Sequence, residues 1–439
     1  MKKTMIIAAA VLALAACAKV ETFRQPATGG GAINFGVYLP KTADTKAGAA
    51  GTITVDGTNG VDPDVIYTSL KAVGFGVFCT YSNGGDYAAT IGPNFMYNQN
   101  VAYGTSSWEY APVKYWPNET IDDHNGGIAP ADADKLSFFA YAPFVGDTAN
   151  KNAFIGSTDE GITGFTASTA TTDPKIDYKV STDPSKAVDL LWAVSGGLAY
   201  TDVHNTNVSV SAGYPLINLT KPSTSTVIPF MFRHATSRLS FKIQGAFDQV
   251  PAGGTQYGPT TVTVEQVRII DLAVNTAGTL NLNNTVANQP NWESKTGTTT
   301  TLVVNGAKLN DTILDDGDGV QTVPGVTNAE KNLFADDKTF FTLIPNAVDD
   351  GDPLTDDDVA TNVTVEITYY VTTPDGALQD QYSRVQNVIK KTISFPTGFY
   401  AGKSYTIKII LGLTSVKLEA DVEDWAVGTI ENVDLPQNK

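Results

Sequence analysis

Apolar and polar residues alternate in steps of two along most of this chain. In residues 32–39, Ala-Ile-Asn-Phe-Gly-Val-Tyr-Leu, the side chains of Ile33, Phe35, Val37 and Leu39 fall on one side, the pattern of a half-buried strand. The same period returns at Val73, Phe75, Val77 and Cys79, and residues 135–142 read as a strand stopped by Pro143. Further on it marks Ile228, Phe230, Phe232 and His234, then Leu239, Phe241 and Ile243. The longest unbroken alternations are Val363, Val365, Ile367, Tyr369, Val371 and Tyr405, Ile407, Ile409, Leu411, Leu413, followed by Val416, Leu418, Ala420, Val422. No stretch of about a dozen residues keeps the 3.6-residue period of a helix.

Between these runs, residues 146–186 are rich in Thr, Asp, Gly and Ser and read as loop with one short strand. Residues 262–274 read either as a strand pair or as one bulged strand. The polar, turn-rich stretch 200–222 is the expected domain boundary. Many strands separated by turn signals imply an all-β chain of two β-sandwich domains in tandem, 32–210 and 222–439. Residues 426–439 hold Val427, Ile430, Val433 and Leu435 and read as a frayed end or as a strand awaiting a partner.

Composition supports that class. The 439 residues include 19 Phe, 18 Tyr and 39 Gly, with only 17% charged, a mix that favours strands and tight turns. The formal charge is −17. An acidic chain lacks the Lys and Arg that displace counterions from phosphates, which argues against nucleic acid. The simplest use of the charge is solubility through self-repulsion.

The N-terminus changes the picture most. Lys2 and Lys3 precede an apolar run from Met5 to Leu14, and Leu14-Ala15-Ala16-Cys17 follows. A secretory signal ends in small residues, and small residues leading straight into a cysteine resemble a bacterial lipobox. That resemblance implies cleavage before Cys17 and lipid on its thiol and new amine, an anchor of several acyl chains. The run is too short for a transmembrane helix. Removing residues 1–16 takes away two lysines, so the charge becomes 27 − 46 = −19. Residues 17–31, with Gly29-Gly30-Gly31, read as a flexible tether to the membrane. Residues 41–51 have no apolar period and include Lys41 and Lys46, an exposed segment of the kind proteases cut. The strand at 32–39 therefore sits between an anchor and a cleavable linker.

Candidate chemistry is sparse. The remaining cysteine, Cys79, lies on the apolar face of a strand, where a buried inert thiol is expected. Residues 399–404 resemble a phosphate loop only superficially, since Gly398 and Gly402 are one residue too close and lie between strands. In Asp315-Asp316-Gly317-Asp318-Gly319 the first and twelfth ligand positions of a calcium loop fall on Leu314 and Gly325, so a solvated acidic turn is expected. His124, His204 and His234 have no zinc-ligand spacing. No metal, cofactor or catalytic residue is expected. The aromatic stretch 95–116, with Trp108 and Trp116, reads either as sandwich core or as a platform for stacking sugars, with core favoured.

Four blocks carry a wider resemblance: Tyr115-Trp-Pro-Asn118, Leu136-Ser-Phe-Phe-Ala-Tyr-Ala-Pro143, the run from Phe230 to Phe241, and Gly412 to Trp425. In this order behind a lipobox, the chain resembles the fimbrillin (Mfa-like) family of fimbrial subunit lipoproteins. The resemblance implies two transthyretin-like β-sandwich domains and export to the outer membrane as a surface lipoprotein. It also implies a cut after a basic residue, with Lys46 the best-placed and Lys41 a rival. Polymerisation follows by strand exchange with other fimbrial subunits, with 426–439 the candidate incoming strand. An adhesive fimbria would then meet a host or bacterial receptor. The alternative is a monomeric outer-membrane lipoprotein that binds surface glycans through Trp108 and Trp116.

Overall fold

The computed structural model describes residues 31–38, 70–117, 133–146, 160–182, 184–224, 227–245, 261–304, 321–323, 331–333, 340–347, 360–380, 382–411 and 416–424. Strand β1 (Asn34–Tyr38) comes first; a helical turn, α1 (Leu70–Val73), then leads into β2 (Phe75–Ser82). Next are β3 (Met96–Tyr103), β4 (Trp108–Glu109), β5 (Lys135–Ala142), β6 (Gly161–Phe165), β7 (Lys175–Lys179) and β8 (Leu191–Ser195). Strands β9 (Leu198–Thr201), β10 (Asn207–Val210), β11 (Leu216–Leu219), β12 (Val227–His234) and β13 (Ser237–Gly245) follow. The longer strands are β14 (Thr261–Asn281) and β15 (Asn291–Val304), and after them β16 (Gln321–Val323), β17 (Lys331–Asn332) and β18 (Phe341–Leu343) are short. The chain then runs through β19 (Thr361–Pro374), β20 (Tyr382–Phe395), β21 (Lys403–Leu411) and β22 (Val416–Asp424). The fold is all-β. Val73, expected to open a strand, closes the helical turn instead, and Gly74 behind it has the positive φ of +66° that redirects the chain.

An eight-stranded sheet runs in the order β1-β12-β8-β5-β2-β3-β4, with β11 added against β5. Its central strands are apolar on both faces, so they read as continuous runs more than as alternations. In β5, Leu136, Phe138 and Ala140 enter one cluster while Phe139 and Tyr141 enter another. The sheet curls around the first cluster until its ends meet, because Ala32 bridges to Tyr115 just beyond β4. The second cluster lies between the sheet's other face and the strands β6, β7 and the end of β14, through Ile162, Ile176, Tyr178 and Leu280.

In the later half a five-stranded sheet, β17-β13-β21-β22 with β18 on β13, faces a seven-stranded sheet, β20-β19-β14-β7-β6 with β15 and β16 on β14. Between them lies a third cluster. Leu239, Phe241 and Ile243 on β13 and Tyr405, Ile407 and Ile409 on β21 meet Val363, Val365, Ile367 and Tyr369 on β19. These are the alternating residues of the sequence, and each fully buried side chain of this size contributes about 1.5–3 kcal/mol.

Three stretches bear on the sequence reading. The expected boundary at 200–222 precedes β12. Strand β12 still belongs to the eight-stranded sheet, paired with both β1 and β8, and the chain changes sheet at residues 235–236. The reason is that Ile228, Phe230 and Phe232 complete the first cluster. The stretch 262–274 is one strand of 21 residues whose register shifts against both neighbours, so the bulged reading holds. Among the described residues the stretch 146–186 holds two strands, β6 and β7, which pair with each other, β7 also pairing with Ala277–Asn281 of β14.

Candidate functional site: the first strand and its groove

Strand β1 lies at one end of the eight-stranded sheet and pairs in parallel with β12, with Phe35 beside Ile228 and Val37 beside Phe230. Ile33 just before it is fully buried, and Phe35 is 4% exposed. The Phe35 ring stacks on Phe230 at 5.6 Å, 18° between planes, and packs on Phe138 at 6.0 Å and Phe75 at 6.3 Å. Aromatic pairs at these separations add to the burial term.

The opposite side of β1 is held by residues 110–116. The Ile33 amide donates to Lys114 O at 3.0 Å, and the Trp116 amide donates to Gly31 O at 2.8 Å. The Tyr110 hydroxyl donates to Ile33 O at 2.8 Å and accepts from the Lys114 amide at 3.2 Å. Burial pushes the Tyr110 phenol up to about 12, the hydrogen bond donated by the Lys114 amide opposing that rise. Its ring meets Phe35 at 5.3 Å. Three of the four sequence-predicted residues, Ile33, Phe35 and Val37, thus lie in one trough between β12 and a strap.

Leu39, Cys17, Lys46, the rival Lys41 and the tail 426–439 lie outside the described residues. The two tryptophans lie in and against the core. Trp116 is 6% exposed and edge-on to Phe138 at 6.1 Å. Trp108 is half-buried between Phe75 at 4.9 Å and Tyr103 at 5.2 Å. A sugar stacks on an open ring face, and Trp116 has none, because the curled sheet needs that ring as filling.

Sequence reasoning missed Tyr110, Gly36 and Val227. Tyr110 was legible only as one of several aromatics, since its role depends on a hydroxyl reaching a carbonyl 77 positions away. Gly36 is buried within β1, and a Cβ placed there would lie 2.8 Å from Cγ1 of Val227. A glycine inside a strand often marks such a close approach.

The other chemistry-bearing residues have structural surroundings. Cys79 is buried, and burial pushes its thiol up. His234 Nδ1 lies 2.8 Å from Asp189 Oδ1, both inside the protein. Gly402, with φ of +69°, turns the chain into β21. Among the described residues no group of three or more His, Cys, Asp and Glu is gathered as a metal site. Residues 315–319 and His124 lie outside the described residues. No described helix is long and apolar enough to cross a membrane.

A stretch of 146 residues, 32% of the chain, is 30% identical to fimbrium subunit Fim1C of Phocaeicola vulgatus and spans 31% of that protein. The chain thus covers under a third of that relative's length. The fold is similar to the crystal structure of a fimbrial protein from Bacteroides vulgatus, with a TM-score of 0.57 at 18% identity, over 90% of this chain and 100% of the other. The model of the fimbrillin-like family matches residues 68–425. That match takes in every described strand from β2 to β22, and on it the chain belongs to the fimbrillin-like family.

Proposed function

We propose that this protein is a non-catalytic structural or accessory subunit of a cell-surface adhesive fimbria, assembled by cutting after β1 and replacing β1 with a strand from another subunit. One observation carries the reading. β1 is a terminal strand with a buried aromatic face, and residues 39–69 separate it in sequence from α1. Its removal would leave β12 with unpaired N–H and C=O groups above an apolar trough. An incoming strand restores both, which is β-augmentation.

The same reading makes Cys17 the lipid attachment site at the outer membrane and Lys46 the processing site, and it treats the two halves as transthyretin-like units. Limited digestion with a lysine-specific protease tests it. Cut protein is expected to lose residues 17–46 and to form ladders of oligomers that survive mild denaturant. Cut protein that keeps β1 in place and stays monomeric with every candidate partner overturns the reading. The glycan alternative predicts sugar-dependent quenching of Trp108, and flat titrations across a broad glycan panel remove it.

A further inference from the structure

The later sandwich is open along one flank. Among the described residues, β20 ends the seven-stranded sheet and β22 ends the five-stranded sheet. The two edges lie one above the other, because Ile389 and Ile393 of β20 and Leu418 and Ala420 of β22 all pack against the same cluster. The core-facing row of β19, Val363, Val365, Ile367 and Tyr369, pairs with Ile393, Lys391, Ile389 and Asn387, and Val385 continues that row. On β22, Val422 stands opposite the buried Tyr405, so it too belongs to a core-facing row. Yet Val385 and Val422 are 59% and 53% exposed. Of the ten large hydrophobic side chains exposed among the described residues, five lie on β20, on the turn before it or on β22. Uncovered apolar surface therefore gathers on this flank, the mark of an interaction site.

The two edges differ in charge. β20 has Arg384, Lys390 and Lys391 and no acid, whereas β22 has Glu419, Asp421, Glu423 and Asp424 against Lys417. Like charges set opposite each other destabilise a ladder. Lys391, on the core-facing row of an edge, bars a second β20. It does not bar an acidic strand. Chain direction allows that match. The turn after β20 brings the Phe395 ring to 5.5 Å from Tyr405 near the start of β21, and β22 runs back along β21, so β20 and β22 point the same way. We propose that this flank is the surface through which two copies of the chain associate side by side, the β20 of each paired with the β22 of the other. A two-fold axis along the strands makes both ladders at once, keeps the core-facing rows inside and closes the assembly at a dimer. Each sheet then continues into the other copy, and Val385 and Val422 leave water. The inference is independent of strand exchange, because neither β1 nor its trough takes part.

The test measures the dimer dissociation constant of the uncut full chain by sedimentation equilibrium. Arg384→Glu with Lys391→Glu reverses the charge of β20, and Asp421→Lys with Asp424→Lys reverses that of β22. All four positions are exposed, so each variant is expected to keep the melting midpoint of wild type, which is checked first. Either reversal alone is expected to weaken the dimer about tenfold or more, because the joint occurs twice in each dimer. The two reversals together set acid against base again and are expected to return it to within about threefold of wild type. Val385→Ser with Val422→Ser removes the apolar part and is expected to weaken the dimer about tenfold as well. A like-on-like contact, β20 on β20, responds differently: reversing one strand leaves equal charges facing each other and the constant unchanged. That result overturns the pairing, and so does a fourfold variant no tighter than the single-strand reversals. Wild type that stays monomeric up to about 1 mM overturns the inference outright, whether residues 426–439 of the same chain or a different molecule cover the flank.

Discussion

At the scale of single residues, Phe35 and Tyr110 hold β1 in different ways. Phe35 supplies area and ring contacts, so Phe35→Ala is expected to cost about 3–5 kcal/mol, the usual range for a buried phenylalanine. The shift of the urea midpoint at constant slope measures it, and a loss under about 1 kcal/mol would mean that β1 contributes little to the intact fold. Tyr110 supplies one hydroxyl bridging two backbone segments. Tyr110→Phe is expected to cost about 1–2 kcal/mol and to speed hydrogen exchange at Ile33 while leaving exchange in β19 unchanged. The phenol also has a pH signature. Its folded value, about 12, lies above its ordinary value of 10.0. The neutral form is therefore favoured by folding, and this contribution is fully present below pH 10 and is lost as pH rises through 12. Wild type is expected to lose stability in that window by more than Tyr110→Phe does; equal losses would mean that the hydroxyl bond is not what titrates.

At the scale of elements, legibility followed burial. Strands that bury one face, such as β19 and β21, show their period in the sequence, and Val363 to Tyr369 or Tyr405 to Leu411 could be read directly. Strand β7 has the same signal in Ile176 and Tyr178, but it is only five residues long and sits in a Thr- and Asp-rich neighbourhood that drowns the period. The first half of β15, Asn-Trp-Glu-Ser-Lys-Thr, carries almost no apolar residues; it is held by its ladder to β14 and by Trp292 packed on Tyr178. In the candidate site the buried face of β1 was legible and the strap was not, because Tyr110 and Lys114 act through backbone bonds that leave no periodic trace. The edge strand β20 is the counter-example to burial. Val385 and Val388 on it are 59% and 56% exposed. Val388→Lys is expected to change stability by less than about 0.5 kcal/mol and to lower self-association of the uncut protein, since charge on an edge opposes pairing. Sedimentation at high concentration checks this, and unchanged association would place the sticky surface elsewhere.

At the scale of the whole molecule, β14 joins the two halves. Its Val264, Val267 and Ile269 belong to the cluster between the two later sheets, while Leu280 belongs to the cluster against the eight-stranded sheet. The joint at residues 235–236 is pinned by Trp292 Nε1 donating to Ala235 O at 2.8 Å, and by the Tyr178 and Thr342 hydroxyls at 2.9 Å. Two halves that share one strand and these bonds are expected to unfold in a single calorimetric transition. Leu280→Ala and Ile407→Ala, one in each half, are expected to lower that same transition, whereas two separable melts would show that the halves are independent. A strand of 21 residues spans about 70 Å at roughly 3.3 Å per residue. A pull that separates the two halves therefore runs along one covalent backbone, and the halves part only after that strand is stripped from its neighbours on both sides.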